Sequence, residues 1–300
     1  MSLITLLDGG MGQELVRRSG DEPTPLWATR VMIDHPGMVQ AIHADYFAAG
    51  ASLATTNTYA IHHDRLEKFA LDHRFSELHR AALTEAHAAR SAAGRGMIAG
   101  SLGPLVASYR PELLPPHETA ARLYAEVAAL LAPHCDLLLG ETVASIAHAR
   151  ALIAGARPAA ERAGIPLWLS VTVDDADGTR LRSGEPIAAL AGHLTGVAAL
   201  LANCSAPEAM DQAMTPLAAH GLPFGAYANG FQQITAEFLK DNPTVDALSA
   251  RPELTPERYA DFALGWVARG ATLVGGCCET GPAHIAELAR RLHAAGHSIA

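Results

Sequence analysis

Only four cysteines occur in 300 residues. That is too few for the disulfide framework of a small secreted domain, and it leaves metal binding or catalysis as the uses to test for each thiol. No apolar run is long enough to span a bilayer. Basic residues are in deficit: 22 Lys and Arg stand against 31 Asp and Glu, a formal charge of −9. No dense Lys/Arg run offers the concentrated positive face that a nucleic acid requires. The N-terminus has no basic segment followed by a long apolar one, because Met1-Ser2-Leu3-Ile4-Thr5 enters a strand-like run at once. Cytoplasm is therefore the expected location, with no membrane partner. A hydrophobic fraction of 49% against 18% charged excludes a disordered chain and favours a compact one with a large core.

What is present is an alternation. Short apolar runs occupy residues 3–7, 51–56, 97–101, 136–139, 166–173, 197–202, 223–228 and 271–275. Helical spacing lies between many of them, over 36–49 with a stop at Gly50, over 75–93, 118–131 and 145–160, and finally over 282–295. A short helix is expected before the sixth run, another opens at Pro207, and Thr255-Pro256-Glu257 has the capping residue, first-turn proline and early acid of a helix start. The stretch around Pro23, Pro25 and Trp27 reads as a polar connection. The longest connection follows Asn229, through Asp241-Asn242-Pro243 to Pro252, and a loop of that length is expected to cover a site or to be mobile. Eight strand and helix repeats without a boundary-like linker predict a (β/α)8 TIM barrel spanning residues 1–300 as a single domain. The competing fold, a doubly wound open sheet, normally carries a glycine-rich nucleotide turn after its first strand. Gly9-Gly10-Met11-Gly12 lacks that spacing.

In a barrel the chemistry sits at the C-terminal strand ends. Asp8, Asn57, Ser101, Glu141, Cys204, Asn229 and the pair Cys277-Cys278 all fall there. The eighth strand neighbours the first, and the sixth lies two positions back, so Cys204 can meet Cys277 and Cys278 across the mouth. Three thiolates suit a borderline-soft cation, above all tetrahedral Zn²⁺ with its fourth position open. Taken singly, each cysteine reads as a buried packing residue; taken together on one face, they read as a metal site. Cys135 precedes its strand, at the other end, and reads as structural. His62 and His63 are adjacent in sequence and read as a solvated helix start.

Asp8-Gly9-Gly10-Met11, Glu141-Thr142, Asn203-Cys204-Ser205 and Gly275-Gly276-Cys277-Cys278 occur in an order that resembles the homocysteine S-methyltransferases, over almost the whole chain. The resemblance implies a zinc-dependent barrel that methylates homocysteine to methionine. It implies Cys204, Cys277 and Cys278 as zinc ligands, through which the substrate thiol is activated. Asp8 and Glu141 would lie near the amino-acid end of homocysteine, and Asn203 also falls on the substrate side. The partners are then small molecules: homocysteine and a sulfonium or ammonium methyl donor such as S-methylmethionine, S-adenosylmethionine or a betaine. Trp27 with Tyr59 or Tyr109 would offer cation-π contacts to that donor. Two other functions compete: a zinc-dependent demethylase passing methyl to a different thiol or to a corrinoid, and a non-enzymatic zinc or redox sensor built on the vicinal dithiol. Either a monomer or a small homo-oligomer is compatible with the composition.

Overall fold

The computed structural model describes all residues except 23, 25 and 232–249, and all but the side chain of Trp27 within its helices and strands. The chain runs β1 (Leu3–Leu6), α1 (Met11–Ser19), α2 (Trp27–Asp34), α3 (Met38–Ala48), β2 (Leu53–Thr55), α4 (His63–Leu66), α5 (Phe75–Ala93) and β3 (Met97–Leu102). It continues α6 (His117–Leu131), β4 (Leu137–Val143), α7 (Ile146–Ala163), β5 (Leu167–Val171), β6 (Val197–Asn203), α8 (Pro207–Ala218) and β7 (Phe224–Ala228). The last elements are α9 (Pro256–Ala268), β8 (Leu273–Gly276), α10 (Pro282–Ala294) and β9 (Ser298–Ile299). Strands pair in the order β2-β3-β4-β5-β6-β7-β8-β1-β9, all parallel.

The sheet curls until β1 meets β2. Leu7 bridges Leu53, Ser52 N–H donates to Leu6 O at 2.8 Å, and Asp8 N–H donates to Leu53 O at 3.1 Å. Below that contact β9 pairs with the start of β1, Leu3 opposite Ser298. The fold is a TIM-type α/β barrel, as expected. Its inside is packed by alternate strand residues, among them Leu53, Ala99, Leu139, Leu201, Tyr227 and Leu273. This two-residue period follows from side chains alternating across a strand. The opposite faces of the strands meet the helices in a second, larger core. On α5, for example, Phe75, Leu78, Ala82, Leu83 and Ala86 are buried at three- and four-residue spacing. Among the described residues no helix is long and apolar enough to cross a membrane.

Several expectations need correction. The stretch around Trp27 is not merely a connection, since α1 and α2 form on either side of residues 23 and 25. No α-helix lies between β5 and β6 among the described residues; the crossover uses a bridge between Val173 and Leu181 and a single 3-10 turn, Ile187–Leu190. Glu141 lies inside β4 rather than at its end, because a register irregularity between Gly140 and Val143 carries the strand onward past it. His62 is buried, not solvated. Most of the long connection after Asn229, with its expected covering role, lies outside the described residues.

Helix α9 ties two strands together at the end that matters for the site. Thr255 caps it, accepting from Arg258 N–H, and Pro256 opens it. The buried Tyr259 hydroxyl donates to Gly275 O at 2.6 Å and accepts from Ala228 N–H at 3.0 Å. Tyr259→Phe leaves both buried backbone groups without that partner. It is expected to lower the free energy of unfolding by about 1–3 kcal/mol, measured by urea denaturation; an unchanged midpoint would remove Tyr259 from this role.

Candidate active site

The dithiol turn is built by extending the barrel ladder past the strand ends. Cys277 N–H donates to Ala228 O at 2.9 Å, and Gly230 N–H donates to Cys278 O at 2.8 Å. Thr280 closes the turn, its Oγ1 donating to Cys277 O at 2.6 Å. A Cβ on Gly276 would stand 2.0 Å from Thr280 Oγ1, so this tight packing requires glycine. Cys204 directly follows β6 with φ at 51°, its N–H on Tyr227 O at 3.3 Å. The three sulfurs fall within 4.8 Å of one another, and among the described residues theirs is the one His, Cys, Asp and Glu cluster with metal-ligand spacing. The Cα atoms of Cys204 and Cys277 stand 5.9 Å apart across the mouth.

The donor set fits a soft cation. Burial pushes the Cys278 thiol up to about 12, so the protein alone holds it protonated; a bound cation is what makes a thiolate stable there. Cys135, ahead of β4, is also buried and pushed up to about 12. It lies away from the cluster and has the environment of an inert thiol.

Two carboxyl groups share the cavity with the sulfurs. Asp8 accepts from Thr55 twice, N–H to Oδ2 at 2.7 Å and Oγ1 to Oδ1 at 2.9 Å. Glu141 accepts from Ser101 Oγ at 2.5 Å and from Tyr227 OH at 3.0 Å. Burial is the largest influence on both. It raises Asp8 to about 7 against its two bonds from Thr55, with the Glu141 charge adding to the rise. It also raises Glu141, opposed by the bonds from Ser101 and Tyr227. Both acids are thus poised to ionise when a cation arrives.

Asn203 does not reach the cavity. It is fully buried, with Oδ1 accepting from Thr142 N–H at 3.0 Å and Ser170 Oγ at 2.8 Å, while Nδ2 donates to Thr142 Oγ1 at 3.0 Å. Its amide locks the ends of β4, β5 and β6 together. One residue it holds, Thr142, is left-handed at φ 55°, as are Tyr109 at 63° and Glu279 at 62°. With Cys204 they make four non-glycine residues in this costly region around the mouth.

The cavity measures about 120 Å³, and its wall includes Asn57, Tyr59, Tyr109 and Phe231. Tyr59 OH pairs with Ser108 Oγ at 2.8 Å. The rings of Tyr59 and Tyr109 already carry guanidinium groups, Arg65 at 5.8 Å and Arg182 at 5.3 Å from their centres. Asn229 is buried but does not line the cavity. Trp27 opens α2, and its side chain lies outside the description. Gln13, Thr55, Phe231 and Tyr227 are wall residues absent from the sequence-based set. Tyr227 had a usable signal: it sits two residues before Asn229, on the inward-facing parity of β7.

A TIM-type barrel with three cysteines and two buried acids around one cavity at its C-terminal mouth has the make-up of an enzyme of the barrel class. The comparisons resolve that class. The profile of the homocysteine S-methyltransferases matches residues 5–292, and the chain belongs to that methyltransferase family. It is 34% identical to the homocysteine S-methyltransferase of Escherichia coli K12, over 96% of this chain and 95% of that one. It is 28% identical to homocysteine S-methyltransferase YbgG of Bacillus subtilis 168, over 95% and 93%. Solved structures of the E. coli homocysteine methyltransferase MmuM superpose over 96% of both chains. The metallated form gives a TM-score of 0.77 at 30% identity and the oxidized form 0.78 at 29%. Membership in an enzyme family answers the non-enzymatic sensor reading.

Tyr227→Phe removes one of the donors that favour ionised Glu141. Its carboxyl is expected to take up a proton at higher pH than in the wild type, read by infrared or ¹³C NMR titration; an unchanged or lower value would mean the hydroxyl does not act on it.

Proposed function

We propose that this enzyme transfers a methyl group from a sulfonium or ammonium donor to homocysteine, with Cys204, Cys277 and Cys278 in their reduced state holding Zn²⁺. The observation that carries this reading is the convergence of three sulfurs above two buried acids in one cavity. When bound, zinc would supply a Lewis acid that makes the substrate thiol available as thiolate at neutral pH, where a free thiol is mostly protonated.

The protein's own groups do the rest. Asp8 and Glu141 face the cavity with free acceptor positions for the substrate ammonium, and ionisation of both acids is drawn out by that cation. Met11, Gly12 and Gln13 line the same cavity at the first turn of α1. Their N–H groups have no carbonyl partner within the helix, which suits the substrate carboxylate. Tyr59, Tyr109 and Phe231 give the donor an aromatic wall, and a cationic methyl group is favoured against a ring face that no guanidinium already covers. In the reaction a carbon–sulfur bond forms between the donor methyl and the homocysteine sulfur. The methyl–sulfonium or methyl–ammonium bond breaks, its electron pair stays on the donor as a neutral thioether or amine, and the thiol proton is released. The donor classes that fit are S-methylmethionine, S-adenosylmethionine and betaine-like compounds. A site that needs three reduced cysteines suits a reducing compartment such as the cytoplasm.

The test is metal analysis beside turnover, under reducing conditions. Wild type is expected to hold one zinc per chain and to form methionine with at least one donor of a sulfonium and betaine panel. Cys204→Ser and Cys277→Ser should each lose the zinc. Their activity should drop at least about 100-fold, since losing a ligand costs more than losing an outer partner. Zinc retained fully in both variants would overturn the three-cysteine site. Methylation of another thiol or a corrinoid, with no methionine from any donor, would overturn the homocysteine assignment.

A further inference from the structure

Helix α3 buries Val39, Ile42, Tyr46 and Phe47, and at the same spacing it buries His43. His43 is fully enclosed, and neither ring nitrogen has a hydrogen-bond partner among the described residues. A neutral imidazole always carries one N–H and one bare nitrogen, and enclosing both unpaired is costly. An apolar side chain at this position would avoid the cost.

The geometry shows where the N–H can go. His43 Nδ1 stands 4.0 Å from Asp8 Oδ2, beyond hydrogen-bond length but within a side-chain shift of about 1 Å. Oδ2 accepts only Thr55 N–H among the described residues, and a carboxylate oxygen has room for a further donor. Tyr46, on the same helix, is turned away, its hydroxyl donating to Thr280 O at 3.2 Å. Glu141, the other acid whose charge acts on Asp8, is bonded to Ser101 and Tyr227. Burial holds the His43 imidazole neutral, pulled down to about 4. With the proton on Nδ1, the nitrogen left bare is Nε2, and a buried acceptor without a partner is better tolerated than a buried donor.

We infer that His43 is a positioning residue for homocysteine recognition: its Nδ1–H closes onto Asp8 Oδ2 when the substrate ammonium binds that carboxyl. This rests on the reading of Asp8 as an ammonium site. An ionised carboxylate in an enclosed, weakly polar place needs more donors than a neutral acid does, and His43 is the donor in reserve.

Steady-state kinetics with homocysteine and with its desamino analogue, 4-mercaptobutyrate, tests this. In His43→Leu the KM for homocysteine is expected to rise about tenfold, with kcat held within about twofold. The analogue, which has no ammonium group, should show no change in KM. His43→Asn puts an amide nitrogen near the Nδ1 position and should restore most of the affinity. Equal losses on both acceptors, or no rescue by Asn, would make His43 merely structural and overturn the inference. Asp8→Asn is the control for the underlying reading. If it spares homocysteine, the Asp8 assignment fails; if it raises the homocysteine KM selectively while His43→Leu does nothing, only the inference fails. Should His43→Leu not fold, long-range ¹H–¹⁵N NMR of the wild-type protein decides. Protonation of Nδ1 in the homocysteine complex supports the inference, and protonation of Nε2 overturns it.

Discussion

The parallel ladder between β6, β7 and β8 does not stop where the strands do, and the mouth depends on that continuation. Backbone bonds from Cys204 to Tyr227, from Cys277 to Ala228 and from Gly230 to Cys278 carry the register past the strand ends into the loops. Three sulfurs separated by up to 74 positions in sequence are thereby held by main chain rather than by flexible side-chain contacts. Tyr259 fastens the same region from behind, bonding β7 and β8 at once. Its ring stands edge-on to Trp266, 6.1 Å away, so the packing of α9 reaches the dithiol through one phenol.

The second constraint is dielectric. Asp8 and Glu141 are enclosed beside the sulfurs, and each is supplied with enough hydrogen bonds to ionise but not enough to do so cheaply. In the proposed reaction this makes recognition of the substrate amine sensitive to charge: a cation in that place stabilises the ionised acids, and a neutral or anionic group does not. The Cys278 thiol follows the same logic, because enclosure withholds the thiolate until a cation is present. Low polarity around the mouth thus serves the acids and the thiols alike.

The barrel was legible because its signal is repetition. Each of the eight expected apolar runs overlaps a barrel strand, most ends agree within two residues, and the exception is β4, which continues four residues past its expected end and so takes in Glu141. The mouth was legible by the same route, since strand ends can be counted without knowing any contact. Helix α1 escaped because only Leu15 among its apolar residues is fully buried, and Gly10 and Gly12 imitate a loop. The short helix expected before β6 is instead a single 3-10 turn, Ile187–Leu190. Tyr227 and His43 escaped for a shared reason: each stands inside a regular element at a core position, where an aromatic ring reads as filler. Asn203 erred the other way. Its place beside Cys204 suggests contact with substrate, whereas its amide is consumed in holding Thr142 and Ser170.

Tyr109, Thr142, Cys204 and Glu279 hold left-handed backbone that glycine would adopt without strain. At about 1–3 kcal/mol each, they cost the barrel stability, and Tyr109 and Cys204 bear that cost while lining the cavity. Glycine at either place would relieve the backbone and remove a wall side chain, so the stability of the fold and the shape of its mouth pull against each other there.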